Sequence, residues 1–335
     1  MRMILAGDIG GTNTRLALFE DGPPLTKWHE KTFRNEGRGG LREIVQEFLD
    51  GVEGEEGKVD RAAFGVAGPV KDGCAVMTNL PWRLDEGELA RELGVPKVAL
   101  INDLVAHGEG IELLRPEQLI VIQAGEPAHG NRAVIAAGTG LGEGGIFWDA
   151  AARRYRAFAS EGGHSDFAPR GERQIALLRW LAKKYPNASW ERVLSGPGLR
   201  NVYDFLITPE QLGQAAAMPE SEWRGGKGGP KPSAISEAGV KGTNAAAVAA
   251  LDLFVTFYGA EAANLALKVM ATGGVYVGGG IALSIVDKLK SNLFLDAFRA
   301  TGPQTIRQVL AKIPIHIVNF ELNGLYGAAN FAAHL

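Results

Sequence analysis

Residues 3–19, MILAGDIGGTNTRLALF, constrain this chain more than any other stretch. An apolar run reaches an acid, turns through two glycines, a threonine and an asparagine, and returns as a second apolar run. The pattern predicts two antiparallel strands joined by a tight turn. Gly10 and Gly11 can take positive φ and let a phosphate approach the backbone, Thr12 and Asn13 add side-chain donors, and Asp8 offers an oxygen to a hydrated Mg²⁺. Gly and Asn also favour an ordinary hairpin turn, so the stretch alone leaves both readings open.

The rest of the chain reads as an α/β protein with mixed sheets. Short apolar runs predict strands over 4–7, 15–19, 28–33, 61–66, 97–101, 119–122, 132–137, 144–148 and 275–277. Helical spacing predicts helices over 41–50, 86–93, 104–113, 172–184, 244–270 and 284–289, and a terminal helix over 323–335 with Asn323 as its cap. Residues 132–148, RAVIAAGTGLGEGGIFW, repeat the plan of the opening hairpin. A duplicated domain with a nucleotide in the cleft between the copies, and domain closure upon it, is the expectation. Segment 213–243, with GGKGGPKPS at its centre, shows no apolar period and reads as an exposed, partly mobile insertion.

At 335 residues and 46% hydrophobic, the chain can build roughly two domains with substantial cores. A net charge of −3 without a long Lys/Arg run gives no footprint for nucleic acid. The amino terminus meets Asp8 before any long apolar segment, and Asp252, Glu261 and Lys268 interrupt the apolar stretch 245–270. A cytoplasmic protein without a membrane span is expected. Cys74 is the single cysteine, which excludes an internal disulfide framework and a multi-cysteine zinc site; it reads as a small buried residue.

Other Gly-rich turns carry chemistry as well. Gly140, Gly142 and Gly145 form a nominal GxGxxG, but strand-like Ile146, Phe147 and Trp148 follow where a dinucleotide fingerprint needs a helix. A second phosphate hairpin at Gly138, Thr139, Gly140 and Gly142 fits better, and no GxxxxGK[ST] occurs. Gly278, Gly279 and Gly280 could pass close to an adenine or ribose, or form a plain strand-to-helix corner. Asp103 stands where an apolar strand ends and a helix begins, which makes it a candidate general base or a helix cap. Glu161, Gly162, Gly163 and His164, with Glu191 downstream, suit a polyhydroxylated ligand. The alternatives are a core histidine at His164 and a helix-dipole acid at Glu191 behind a Ser189 cap.

Taken in order, DIGGTNTRLAL, FGVAGPV with MTNLPW, LINDLVAHGEGI, AAGTGLGEGGI, EGGHSDFAP, ERVLSGPGL and GGVYVGGGIA resemble the bacterial glucokinases of the hexokinase and actin superfamily. The resemblance implies ATP-dependent, in-line phosphorylation of the glucose 6-hydroxyl with Mg²⁺, in a cleft between two ribonuclease-H-like (actin-like ATPase) domains. It implies a small domain of residues 1–113 with 318–335, and a large domain of 114–317. ATP contacts fall on Gly7, Asp8, Ile9, Gly10, Gly11, Thr12 and Asn13, on Gly138, Thr139, Gly140 and Gly142, and on Gly278, Gly279 and Gly280. Sugar contacts fall on Asn79, Asn102, Asp103, Glu161, His164 and Glu191, with Asp103 the general base and Asp8 holding Mg²⁺ through water. A homodimer is implied too. The related repressor and sugar-kinase group usually has a cysteine-rich zinc motif after its Gly-His segment, and this chain has none there. A kinase for another hexose, or a sugar-sensing regulator without turnover, are the rival expectations.

Overall fold

The computed structural model describes residues 2–52, 58–77, 80–211, 219 and 228–335. Packing divides the chain into two units, one of Met1–Gln118, Trp148–Ala159 and Phe320–Leu335, the other of Leu119–Phe147 and Ser160–Asn319.

The first unit opens with a meander of β1 (Arg2–Ile9), β2 (Asn13–Glu20) and β3 (Thr26–Arg34). Helix α1 (Leu41–Asp50) leads to β4 (Lys58–Val66), which pairs parallel with β1. A small sheet of β5 (Val70–Lys71), β6 (Cys74–Val76) and β7 (Arg83–Asp85) follows, then α2 (Glu86–Leu93), β8 (Lys97–Asn102) and, without a loop, α3 (Asp103–Gly110). The main sheet runs β3-β2-β1-β4-β8. Its central strands β1, β2 and β4 are largely buried on both faces, so their two-residue period is hidden in near-continuous apolar runs, whereas edge strand β3 is mostly exposed. Met3, Leu5, Leu16 and Leu18 pack with Ile44, Val45 and Phe48 of α1. Ile4, Ala6, Ala17 and Phe19 pack with Leu325, Ala328 and Ala332 of the terminal helix.

The second unit contains β9 (Leu119–Gln123), β10 (Arg132–Ala137), β11 (Leu141–Asp149) and β12 (Arg154–Ser160), then α4 (Gly171–Ala182), α5 (Gly196–Leu206), α6 (Pro232–Lys241) and α7 (Ala245–Val269). It ends with β13 (Gly274–Gly278), the short α8 (Gly280–Ser284) and α9 (Val286–Leu289), α10 (Asn292–Arg299), α11 (Gln304–Lys312) and β14 (Ile315–Val318). Its sheet order is β12-β11-β10-β13-β14-β9. An antiparallel hairpin, β10 with β11, is extended by parallel β13 and β14, as β1 with β2 is extended by β4 and β8. The repeated sequence plan is therefore a repeated sheet plan. The tip of the β11–β12 hairpin groups with the first unit, where buried Glu109 of α3 accepts from the Ala157 N–H at 3.0 Å and pairs with Arg154 at 3.3 Å. The chain then closes on the first unit with α12 (Asn323–Ala333).

Several expectations need correction. Much of 213–243 lies outside the described residues, but its last part is no loose insertion: α6 buries Ala234, Ile235, Ala238 and Gly239. Pro232 fits its first turn, where the missing N–H costs nothing, and its small buried residues conceal the apolar period. Residues 284–289 form no continuous helix, because the chain breaks at Ile285 between α8 and α9. Asn323 is the first residue of α12 rather than its cap, and its amide donates instead to the His107 carbonyl at 2.9 Å. Cys74 is only half-buried and donates to Asp85 Oδ2 at 3.2 Å, whose carboxylate pushes the thiol pKa up. Helix α7 is long and apolar enough to cross a membrane, yet 67% of its most apolar window is buried in the protein.

Candidate active site

In the first unit the β1–β2 turn is closed by Gly10 N–H donating to Asn13 O at 2.9 Å. Asn35 braces it from behind, donating from Nδ2 to Gly10 O at 2.8 Å and from its backbone to Thr12 O at 2.9 Å, while Thr14 Oγ1 donates to Asn35 Oδ1 at 2.7 Å. Thr12 and Asn13 stay exposed, with their side chains free to donate. Neither Gly10 nor Gly11 adopts positive φ, contrary to expectation. Closeness is what Gly10 supplies, since a Cβ there would stand 3.3 Å from Asn13 O. Gly7 and Ile9 are core positions of β1: a Cβ on Gly7 would stand 2.5 Å from the Phe64 ring.

Asp103 begins α3, but the cap of that helix is Asn102, whose Oδ1 accepts from Leu104 N–H at 2.9 Å and whose Nδ2 donates to Gly68 O at 3.1 Å. Asp103 Oδ1 shares the same Leu104 N–H at 2.9 Å. Because Asn102 satisfies the helix end, the Asp103 carboxylate is not consumed by capping. Burial pushes its pKa up from the ordinary aspartate range, the charge of His107 and the Leu104 N–H pull it back in part, and the carboxylate of Asp8 pushes it up again. His107, which the sequence reading passed over, stands one turn along α3 from Asp103, and that i,i+4 spacing was the available signal. A Cβ at Gly324 would touch both His107 Nε2 (3.5 Å) and Asp8 Oδ2 (3.6 Å), so these polar atoms face one spot. Glycines seat α3: Cβ atoms at Gly65, Gly110 and Gly327 would stand 2.9 Å from Ala106 Cβ, 2.4 Å from Asn323 O and 1.7 Å from Ala106 O.

No group of three or more His, Cys, Asp or Glu able to hold a metal occurs among the described residues. Asp8, with no donor from a described residue on its carboxylate, fits a Mg²⁺ held mainly by water and nucleotide phosphates rather than by a protein cage.

In the second unit the β10–β11 turn is closed by Gly138 N–H donating to Gly140 O at 2.8 Å. Leu141 N–H donates to Glu191 Oε2 at 3.2 Å, and a Cβ at Gly140 would stand 2.7 Å from that same oxygen. Glu191 lies in a 3₁₀ turn, Trp190–Arg192, where Ser189 makes no side-chain cap bond. The true cap is Ser195, which accepts from Gly198 N–H at 2.9 Å and starts α5 with Pro197 in its first turn. Gly196 N–H donates to Gly138 O at 2.8 Å, so the electropositive start of α5 abuts the turn. The cue Ser-Gly-Pro was present in the sequence, although Ser189 matched the same rule.

Gly279 does use positive φ, at 87°, and a Cβ there would stand 2.5 Å from Ala137 O. Tyr258, another residue the sequence reading missed, ties these strand ends together. Its hydroxyl accepts from Ala137 N–H at 3.1 Å and lies 3.2 Å from Gly278 O, and burial pushes its pKa up. Beside Gly138, Thr139 and Gly280 opens a cavity of about 740 Å³, walled by Pro197, Leu199, Ile281, Pro232 and Val240. That volume and apolar lining suit a nucleoside. Glu161 and His164 flank a short 3₁₀ turn, Gly162–His164, with side chains 65% and 60% exposed and 3.9 Å apart. His164 is therefore not a core histidine. Asn79 lies outside the described residues.

A protein-family model described as Glucokinase matches residues 5–335. A curated glucokinase from Nostoc sp. (strain PCC 7120) is 40% identical over 348 residues, spanning 100% of both chains. Among solved structures, a glucokinase from an Antarctic psychrotroph superimposes with a TM-score of 0.86 at 29% identity, covering 99% of each chain. A ROK family glucokinase from Streptomyces griseus, solved with glucose and AMPPNP, shares the fold at a TM-score of 0.61 and 23% identity, covering 99% of this chain and 100% of that one.

Proposed function

Since the chain belongs to the glucokinase family and phosphorylates glucose from ATP, we propose that Asp103 is the general base of that transfer. One observation carries the assignment: Asn102 caps α3, which leaves a half-buried carboxylate of raised pKa held only by backbone N–H groups among the described residues. The Asp103 carboxylate accepts the proton of the glucose 6-hydroxyl as that oxygen forms its bond to the γ-phosphorus. The bond from phosphorus to the β,γ-bridging oxygen breaks in line, and ADP leaves with the electron pair. Because this transition state is loose, positioning and charge neutralisation contribute most.

The remaining roles follow from placement. Thr12 and Asn13 on one turn, and Thr139 with the backbone of Gly138, Gly140 and Gly142 on the other, orient phosphate oxygens. The nucleoside takes the cavity beside Gly278, Gly279 and Gly280. Asn79, Asn102, Glu161, His164 and Glu191 fix the sugar hydroxyls, and each hydroxyl so bound discriminates against a sugar lacking it. Asp8 holds a hydrated Mg²⁺, which when bound neutralises charge on the β- and γ-phosphates. Residues 1–113 with 318–335 act as the small domain and 114–317 as the large one, in a cytoplasmic homodimer.

The test is Asp103→Asn. Turnover should fall by at least about 10²-fold, the scale of general-base loss, while calorimetry still detects glucose binding. Turnover near the wild-type value would overturn the assignment.

A further inference from the structure

Beneath the turn bearing Glu161 and His164 lie two carboxyl groups that the transfer chemistry does not use. Glu143 of β11 is 1% exposed, and neither of its oxygens has a hydrogen-bond donor among the described residues. Glu261 of α7 is 0% exposed and stands within hydrogen-bond reach of it. Glu261 is already engaged, accepting from Asn264 Nδ2 at 2.7 Å on Oε2 and from Lys268 Nζ at 3.3 Å on Oε1. Carboxylates cannot donate, so two of them in a buried space either share a proton or repel.

The glycines show what this acid supports. A Cβ at Gly162 would stand 2.0 Å from Glu143 Oε2, and one at Gly163 would stand 2.1 Å from Leu141 O. The backbone of the turn therefore lies directly on Glu143 and on the start of β11. Within the turn, Gly162 N–H donates to Ser160 Oγ at 3.0 Å, and Ser165 Oγ donates to Gly162 O at 2.6 Å.

We infer that Glu143 is a positioning residue for glucose: the proton it shares with Glu261 holds the turn that carries Glu161 and His164, and losing it weakens sugar binding. The inference rests on the reading of Glu161 and His164 as sugar contacts. Burial, then the charge of Glu261, pushes the Glu143 pKa up to about 8, so at neutral pH the proton resides on Glu143. The groups around the pair are Tyr258, Glu261 and Lys268 on α7, Arg170 before α4, and Glu161 and His164 on the turn itself. Lys268 offsets the rise in part, and Arg170 interacts with Glu261. Above that pH a second negative charge appears beside Glu261 on oxygens that have no donor of their own among the described residues, and the turn resting on them must shift.

The test follows steady-state kinetics of the wild type, Glu143→Gln, Glu261→Gln and His164→Asn across a pH range bracketing about 8, with Tm recorded alongside. In the wild type, KM for glucose should rise several-fold through that range while KM for ATP stays level. In Glu143→Gln the rise should vanish, because the amide still donates to Glu261 and has no proton to lose. Glu261→Gln should remove it as well, by taking away the opposing charge. A wild-type KM that stays level, or an equal rise in Glu143→Gln, overturns the inference. An unchanged glucose KM in His164→Asn overturns instead the sugar-site reading beneath it.

Discussion

The two glycine turns stand at equivalent places in their sheets, yet they are held in different ways. The first is braced by a neutral amide, Asn35, which is buried and is not itself a proposed sugar contact. The second is braced by the carboxylate of Glu191, itself a proposed sugar contact, and by the start of α5. The two turns therefore share a sheet plan but not their supports. The first turn is held by a residue given no role in binding, whereas the second is held by Glu191, to which the proposed function also gives a sugar contact.

That asymmetry can be broken by mutation. Glu191→Ala should have the largest effect, lowering kcat/KM for glucose by about 10²-fold and raising KM for ATP too, because Leu141 N–H loses its acceptor. Glu191→Gln keeps an acceptor for that N–H, so its loss should be confined to glucose affinity; an unchanged glucose KM would leave Glu191 with the turn alone. Next comes pH. Only ionised Asp103 accepts a proton, so kcat/KM should fall about tenfold per pH unit on the acid side, with a midpoint above the ordinary aspartate value. An acid limb at the ordinary value would separate the base from the buried carboxylate.

Gly279→Ala should destabilise the second unit by about 3 kcal/mol, from strain at positive φ and overlap with Ala137 O, read as a lowered Tm. Asn35→Ala should be mildest, costing about 1–2 kcal/mol and raising KM for ATP a few-fold without touching KM for glucose. A matching loss of glucose affinity in Asn35→Ala would erase the distinction between the turns.

Legibility in the sequence tracks the range of the interaction. The opening hairpin, α1 and α2 were readable because strand, turn and cap residues lie side by side, as in Asp85 capping α2. The supports were not. Asn35 reaches Thr14 across 21 residues and Tyr258 reaches Ala137 across 121, and no local pattern marks either. Asp103 was legible as a strand-to-helix acid, but its freedom from capping depends on Asn102 turning its oxygen to Leu104. Gly10 and Gly11 misled in a specific way: the loop closes through ordinary φ, and the left-handed conformation is spent at Gly279 instead. Strand β14 escaped notice because its Ile-His-Ile-Val run is four residues long and is fixed by β13 and β9 on either side.

The most direct test of the central claim, ATP-dependent transfer to glucose, is ADP release from the wild-type protein with and without glucose. The account predicts turnover only with glucose, with one ADP formed for each glucose 6-phosphate. Equal ADP release in the absence of sugar, or glucose binding with no turnover, would contradict it.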